Sequence, residues 1–346
     1  YLKSVHISPA TLSVPSAHFP TIQSALDVAE PTDIVQVSDG IYHENLIYPE
    51  KPNIKLQSVN GPSFTFLDGS YNGTVITVNG NNTEMDTSNS IEGFTIQNAG
   101  YVDFETAPDI LWNRDGGGMN LMWNANILVR NNIFRDNYNS CGGGGGIYAY
   151  ESSPLIVNNI FENNTAGISP NGQWCGNWYG GALSLYYGAP EVVNCVFSNN
   201  KAQHQGGAIY IYNTVDVSIV NCVFSNNSLI GDYSEGSLLE CNDHGNSPYI
   251  IKFINSIFWN TNPDPFSNQY GGVMIELSYS DYDLSDSDVD YNDGNISTNP
   301  MFVDEITYRI EAASPCTDLG SPDVQYNDFN GSRNDMGAYG GIWGVW

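Results

Sequence analysis

From Gly116 to Phe258 the apolar positions alternate with polar ones in short runs, and Gly, Asn, Ser or Pro closes each run. Alternation of this kind, rich in β-branched and aromatic residues, is the pattern of short β-strands. No segment there spaces its apolar residues three and four apart, and the Gly and Asn content opposes helix. The runs are also copies of one another: NNIFRDN (131–137), NNIFENN (158–164), NCVFSNN (194–200), NCVFSNN (221–227) and a looser NSIFWNT (255–261). Their phenylalanines, Phe134, Phe161, Phe197, Phe224 and Phe258, lie 27, 36, 27 and 34 residues apart. A second motif leads each copy: GGGMNLM (116–122), GGGIYAY (144–150), GGALSLY (180–186), GGAIYIY (206–212), with GGVMIEL (271–277) read as a fifth. Such self-similarity predicts stacked units, each one coil of a parallel β-solenoid.

Stacking makes each position of a coil a row along the molecule. Side chains alternate across a strand, so if Ile147, Leu183 and Ile209 point inward, Ala149, Leu185 and Ile211 do too. Tyr148, Ser184, Tyr210, Tyr150, Tyr186 and Tyr212 then point outward as an exposed stripe. Asn suits the corners because it tolerates left-handed backbone and bonds its own turn. Asn137, Asn164, Asn200 and Asn227 are expected to stack as one hydrogen-bonded ladder. Cys195 and Cys222, in equivalent places of adjacent coils, are expected as a stacked pair in the wall, free or bonded. Cys141 and Cys175 precede Gly-Gly strands of neighbouring coils, where a disulfide is an expectation for an oxidising compartment.

Residues 19–30, FPTIQSALDVAE, carry an apolar stripe of Ile22, Ala25, Leu26 and Ala29 with Pro20 near the first turn. They predict an amphipathic helix. A solenoid leaves its terminal coil uncovered, so this helix is expected to cap it. The chain is read as a β-helix over residues 1–277, cap included, followed by an irregular Asp- and Gly-rich closing segment over 278–346.

Acidic residues number 38 against 10 basic, for a net charge of −28. That field repels nucleic acid, anionic membranes and, without bound cations, polyanionic glycans. No apolar run reaches the length of about 18 residues needed to span a bilayer. No Cys-x-x-Cys pair suggests a thiolate zinc site.

The stretch SALDVAEPTDIVQVSDGIYHENL (24–46), the Asn-x-x-Phe coils, and NPMFVD (299–304), SPCTDLG (314–320) and NDFNGSRNDMGAYGG (327–341) resemble secreted bacterial proteins of the pectin-lyase-like superfamily. The tail resembles those with a choice-of-anchor segment. The resemblance implies a single right-handed parallel β-helix exported by a bacterium, secreted or held at the cell surface. It implies no particular activity, because the superfamily spans lyases, hydrolases, epimerases, tailspikes and adhesins. None of the catalytic strings of pectate lyases or polygalacturonases occurs in this chain.

Chemistry is sought where the stripe meets its loops. Tyr148, Tyr150, Tyr186, Tyr210 and Tyr212 offer flat apolar faces with polar tips, which suit sugar rings. Trp112, Trp174 and Trp178 lie in the loops before the Gly-Gly strands and are expected at one edge of the row. Arg114 either pairs with Asp115 or contacts a carboxylate or hydroxyl of a glycan, and with His204 or a stripe tyrosine as base it is the candidate to neutralise a uronate carboxylate in a lyase. His204 is the lone acid–base candidate near neutral pH, and His244 stands beside Glu240 and Asp243. Asp115 and Glu151, on neighbouring units, are the candidate carboxylate pair for hydrolysis. Asp286, Asp288 and Asp290, and separately Asp328, Asn330 and Asp335, are oxygen-rich clusters expected to hold structural Ca²⁺. Two functions follow as expectations. In one, a secreted protein binds an extracellular polysaccharide along the tyrosines, with cleavage by a lyase or hydrolase route left open. In the other, a non-catalytic adhesin or assembly subunit contacts other protein chains at the cell surface.

Overall fold

A computed structural model describes residues 9–81, 83, 85–101, 116–140, 142–168, 179–215, 217–230, 236–242, 249–261, 265–268, 272–282 and 288–346. Among them the strands form three long parallel sheets, of eleven, eight and eight strands, a ribbon of four two-residue strands, and one antiparallel pair, Asn72–Gly73 with Gly100–Tyr101. The first sheet carries three extra strands, Thr11–Val14, Val273–Ser278 and Val289–Tyr291, and each of eight coils contributes one strand to each long sheet. For one coil these are Leu155–Val157 on the first face, Ile160–Glu162 on the second and Leu183–Tyr186 on the third. Neighbours in a sheet are therefore one coil apart in sequence, as a parallel β-helix requires, and the crossover rule makes the winding right-handed.

The register follows the repeats residue for residue. Phe134 pairs with Phe161, Phe161 with Phe197, Phe197 with Phe224 and Phe224 with Phe258. Their rings stack inside the coil at centroid spacings of 4.9, 4.9, 4.8 and 5.2 Å, tilted by no more than 9°. That spacing is the distance between neighbouring strands, so the backbone repeat sets the ring repeat. The predicted asparagine ladder forms beside it. Asn137 Nδ2 donates to Asn164 Oδ1 at 2.9 Å, Asn164 to Asn200 at 3.0 Å and Asn200 to Asn227 at 3.0 Å. The same oxygens accept from the backbone N–H groups of Asn137, Asn164 and Asn200, so buried corner donors are satisfied coil by coil. A second column starts with Asn132 and Asn159, whose amides bond at 3.2 Å. Cys195 and Cys222 continue it as buried free thiols, each donating to wall carbonyls. Burial and the neighbouring Cys195 push the Cys222 thiol pKa up, so Cys222 is an inert wall residue.

The Gly-Gly pairs have a steric cause. Gly144, Gly180 and Gly206 turn the chain with φ of 69°, 70° and 63°. A Cβ on the following Gly145 or Gly181 would stand 2.4 or 2.2 Å from a carbonyl oxygen of the next coil. The fifth copy departs from expectation. Val273–Ser278 pairs with Tyr249–Ile254 on the first face and not with the third. Its apolar alternation suits either face, so the motif alone does not distinguish them.

The N-terminal helix is shorter than predicted, Ile22–Leu26. Thr21 caps it, its side chain accepting from Ser24 N, and after Leu26 the N–H groups of Val28 and Ala29 reach back three residues in a tightened turn. Ile22, Ala25 and Leu26 are buried in the main core, against Thr11–Val14, Ile34–Val37 and Leu46–Tyr48 at one end of the stack. At the other end, pairing on the first face runs on to Val289–Tyr291.

The residues after Tyr291 then return along the outside of the second face. There Val196, Val223 and Ile257 point outward and build a second core with Tyr308, Cys316, Met336 and Ala338. The left-handed corner residues Asn194, Asn221 and Asn255, at φ of 52°, 53° and 55°, hold this tail by its backbone. Asn194 Nδ2 donates to the carbonyls of Ala338 (2.9 Å) and Gly340 (2.6 Å), and Asn221 Nδ2 to those of Asp335 (3.0 Å) and Gly337 (3.2 Å). Asn255 Oδ1 accepts from Ser321 N, and its carbonyl accepts from Gly337 N.

Candidate functional site: the tyrosine face

On the third face, Met119–Met122, Ile147–Tyr150, Leu183–Tyr186, Ile209–Tyr212 and Leu239–Asn242 stack in register. Ile147, Ala149, Leu183, Leu185, Ile209 and Ile211 point into the core, as the alternation predicts. Two columns point outward. One runs Asn120, Tyr148, Ser184, Tyr210, Glu240; the other runs Met122, Tyr150, Tyr186, Tyr212, Asn242.

The two columns differ in a way the sequence does not announce. Tyr150, Tyr186 and Tyr212 are half-buried, and Tyr187 beside them is 41% exposed. Their rings form one continuous aromatic surface, with centroids 5.4 Å apart for Tyr150–Tyr187 and Tyr186–Tyr212 and 5.5 Å for Tyr187–Tyr212. The expectation of an exposed row fails for Tyr148 and Tyr210, which are only 7% and 3% exposed. For Tyr210 the cause is the chain just before Gly180. Tyr179 folds back over the sheet, stacks on Tyr210 at 4.4 Å, and accepts the Ser184 hydroxyl on its carbonyl at 2.6 Å. Tyr186 leans over Tyr148 and Tyr210 at 5.2 and 5.6 Å. These two tyrosines are the floor of the site, not its surface.

A polar cluster ends the inner column. With the Asn242 amide oriented so that Nδ2 donates to Glu240 Oε1 and the Cys241 carbonyl at 3.2 Å, its Oδ1 accepts the Tyr210 hydroxyl at 3.1 Å. Burial pushes the Tyr210 phenol well above its ordinary value, so it stays protonated and acts as a donor. Glu240 is 1% exposed. At the other end Asn120, 7% exposed, has an Oδ1 with no hydrogen-bond partner among the described residues.

His204 stands edge-on to Tyr179 at 5.7 Å, and burial lowers its pKa below the ordinary value, so its imidazole is neutral at pH 7. Glu151 is exposed at the rim, with φ of 48°. The Tyr150 phenol is raised first by burial and then by the Glu151 charge. Arg114, Asp115, Trp112, Trp174, Trp178, Cys141, Cys175 and His244 lie outside the described residues. The expected Asp115–Glu151 pair and Cys141–Cys175 disulfide thus fall outside them as well.

Of the acidic clusters, the tail brings Asp328 and Asp335 together with Asp318, which the sequence reading omitted; their carboxylate oxygens lie within 4.8 Å of one another. Asn330 turns aside to accept from Ser332. Asp335 is raised by burial and by the charges of Asp328 and Asp318. Asp288 and Asp290 are exposed and join no group of three acidic ligands among the described residues, and Asp286 lies outside them. No described helix is long and apolar enough to cross a membrane.

The family model of the Chlamydia polymorphic membrane protein (Chlamydia_PMP) repeat matches residues 194–212, which hold one Asn-x-x-Phe copy and the Gly-Gly strand that follows it. No curated protein matches the chain. Among solved structures, the pectin methylesterase of Aspergillus niger in deglycosylated form aligns over 86% of this chain and 93% of its own, at 13% identity and a TM-score of 0.44. The pectin methylesterase of Yersinia enterocolitica aligns over 81% and 94%, at 14% identity and a TM-score of 0.39. An alginate lyase of family PL6, AlyGC, aligns over 92% and 60%, at 12% identity and a TM-score of 0.30. These likenesses assign no role to any residue of this chain.

Proposed function

We propose that this protein binds a polysaccharide outside a bacterial cell, along the third face, with Tyr150, Tyr186, Tyr187 and Tyr212 as the platform for sugar rings. The observation that carries this reading is the continuous half-exposed ring surface across three consecutive coils. A tyrosine platform is flat, rigid and amphipathic, and fixing it costs little side-chain entropy. The net charge of −28 favours a neutral glycan over a uronate polymer. Tyr210, Asn242 and Glu240, buried and bonded to one another, hold the floor beneath this platform rigid at one end. The described residues support binding; for cleavage, neutral His204 is the group able to take a proton.

The test is a panel of neutral and acidic polysaccharides assayed for retention, for new reducing ends and for the absorbance of an unsaturated product. Retention of a neutral glycan by the native chain, weakened by Tyr186→Ala with Tyr212→Ala, is expected. Retention of no glycan at all sinks the reading.

Asp318, Asp328 and Asp335 fit a structural Ca²⁺ by their all-oxygen donor set and crowded charge. A bound divalent cation would offset the mutual repulsion that raises Asp335. Ca²⁺ is expected to raise the melting temperature, and Asp335→Asn to remove that response.

A further inference from the structure

The corner that holds the tail continues past it. The left-handed asparagines form one column of five, Asn131, Asn158, Asn194, Asn221 and Asn255. The last three engage the tail. Asn131 and Asn158 do not. Their side chains make no hydrogen bond among the described residues, their Oδ1 atoms are buried without a partner, and Asn158 is only 4% exposed. Both line a groove of about 700 Å³ lying directly ahead of the tail, together with outward Ile133 and Ile160 and with Trp343 and Trp346. Ile133 and Ile160 continue the row of Val196, Val223 and Ile257 that the tail covers.

The covered part shows what such a corner accepts. Asn221 clamps the carbonyls of residues 335 and 337, and Asn194 those of 338 and 340. The peptide thus advances three residues per coil, and each amide takes two carbonyls two residues apart. Glycine is needed where it passes. A Cβ at Gly337 would stand 2.8 Å from Ile257 Cδ1, and one at Gly340 would stand 1.8 Å from the Asp335 carbonyl and 2.5 Å from Asn221 Nδ2.

We infer that the groove at Asn131 and Asn158 binds a polypeptide segment of a partner protein with Gly-x-x-Gly spacing, about six residues long. It continues an interface the chain already makes with itself. The site lies at the corner between the first and second faces, away from the tyrosines, so it stands or falls independently of glycan binding.

The probe is a labelled synthetic peptide with the sequence of residues 334–341, followed by fluorescence anisotropy on the full chain. Asn131→Gly with Asn158→Gly removes both amides yet keeps the left-handed backbone, so folding is preserved. The native chain is expected to bind the peptide and the double variant at least tenfold more weakly. Asn226→Gly, at a left-handed position of another corner, is expected to bind like the native chain. A peptide with Ala in place of Gly337 and Gly340 is expected not to bind. Absence of binding at millimolar peptide, equal binding by the alanine peptide, or indifference to the double substitution overturns the proposal. So does an oligosaccharide that occupies the groove with the same dependence on Asn131 and Asn158 while the peptide does not.

Discussion

The second and third faces both present apolar rows to the outside, and the rows meet different ends. On the second face the row is aliphatic, Val196, Val223 and Ile257, and the chain's own tail seals it until each is fully buried. On the third face the row is Tyr150, Tyr186 and Tyr212, and it stays half-exposed. The coil is the same, the register is the same, and the side-chain chemistry differs. A valine has no group to offer water, so an outward column of them requires cover by protein. A tyrosine row keeps its hydroxyls wet while its rings stack on one another, so it persists with no lid and remains open to a ligand. An outward row is therefore informative by its residue type, not only by its being apolar.

The contrast can be broken from either side. The largest effect is expected on the sealed face. Ile257→Ala should cost about 2 to 5 kcal/mol by chemical denaturation, because it empties a packed site shared by coil and tail. A loss below ~1 kcal/mol would mean that the tail seals nothing. Next, Asn221→Gly keeps the corner angle but removes the clamp on residues 335 and 337. A loss of roughly 2 kcal/mol is expected, together with protease cleavage within residues 320–346, and an uncut tail would count against the clamp. On the open face, Tyr186→Ala should weaken glycan binding roughly tenfold, about 1.4 kcal/mol, and leave the tail resistant to protease.

The smallest effect concerns His204. Its folded pKa is lowered, so between that value and about 6.5 the unfolded chain binds a proton that the folded chain does not. Stability is then complete above that window and declines as pH falls through it. His204→Gln should flatten this part of the pH profile, and a nuclear magnetic resonance titration should find the imidazole midpoint below the ordinary value. A midpoint above it would place His204 in contact with negative charge instead of in a desolvated pocket.

Much of this was legible from the chain. The spacing of Phe134, Phe161, Phe197 and Phe224 gave the ring stack, and Asn137, Asn164, Asn200 and Asn227 gave the ladder, because stacked identical coils turn sequence period into contact. The inward alternation at Ile147 and Ala149 followed from strand geometry alone. What escaped depends on segments outside the repeat. Tyr210 is covered by Tyr179, whose fold-back leaves no periodic mark, and Tyr148 by the lean of Tyr186. Asp318 joins Asp328 and Asp335 through the course of an irregular tail. Asn194 and Asn221 fit the expectation of asparagine at the corners; their grip on the tail left no sign, since the tail carries no copy of the motif. Glu240 and Asn242 were missed as part of the tyrosine face because their strand, LECN, lacks the tyrosines that mark the others.

The tail's three successive grips make it a ruler. It must meet Asn255, Asn221 and Asn194 with a fixed length of peptide, so the number of layers under it is counted. An extra layer between Phe197 and Phe224 would carry the last grip about 4.8 Å out of reach. One inserted before Phe134 would pass unmeasured. Duplication can thus lengthen the molecule toward its N-terminal end, while the C-terminal end is held to a set count.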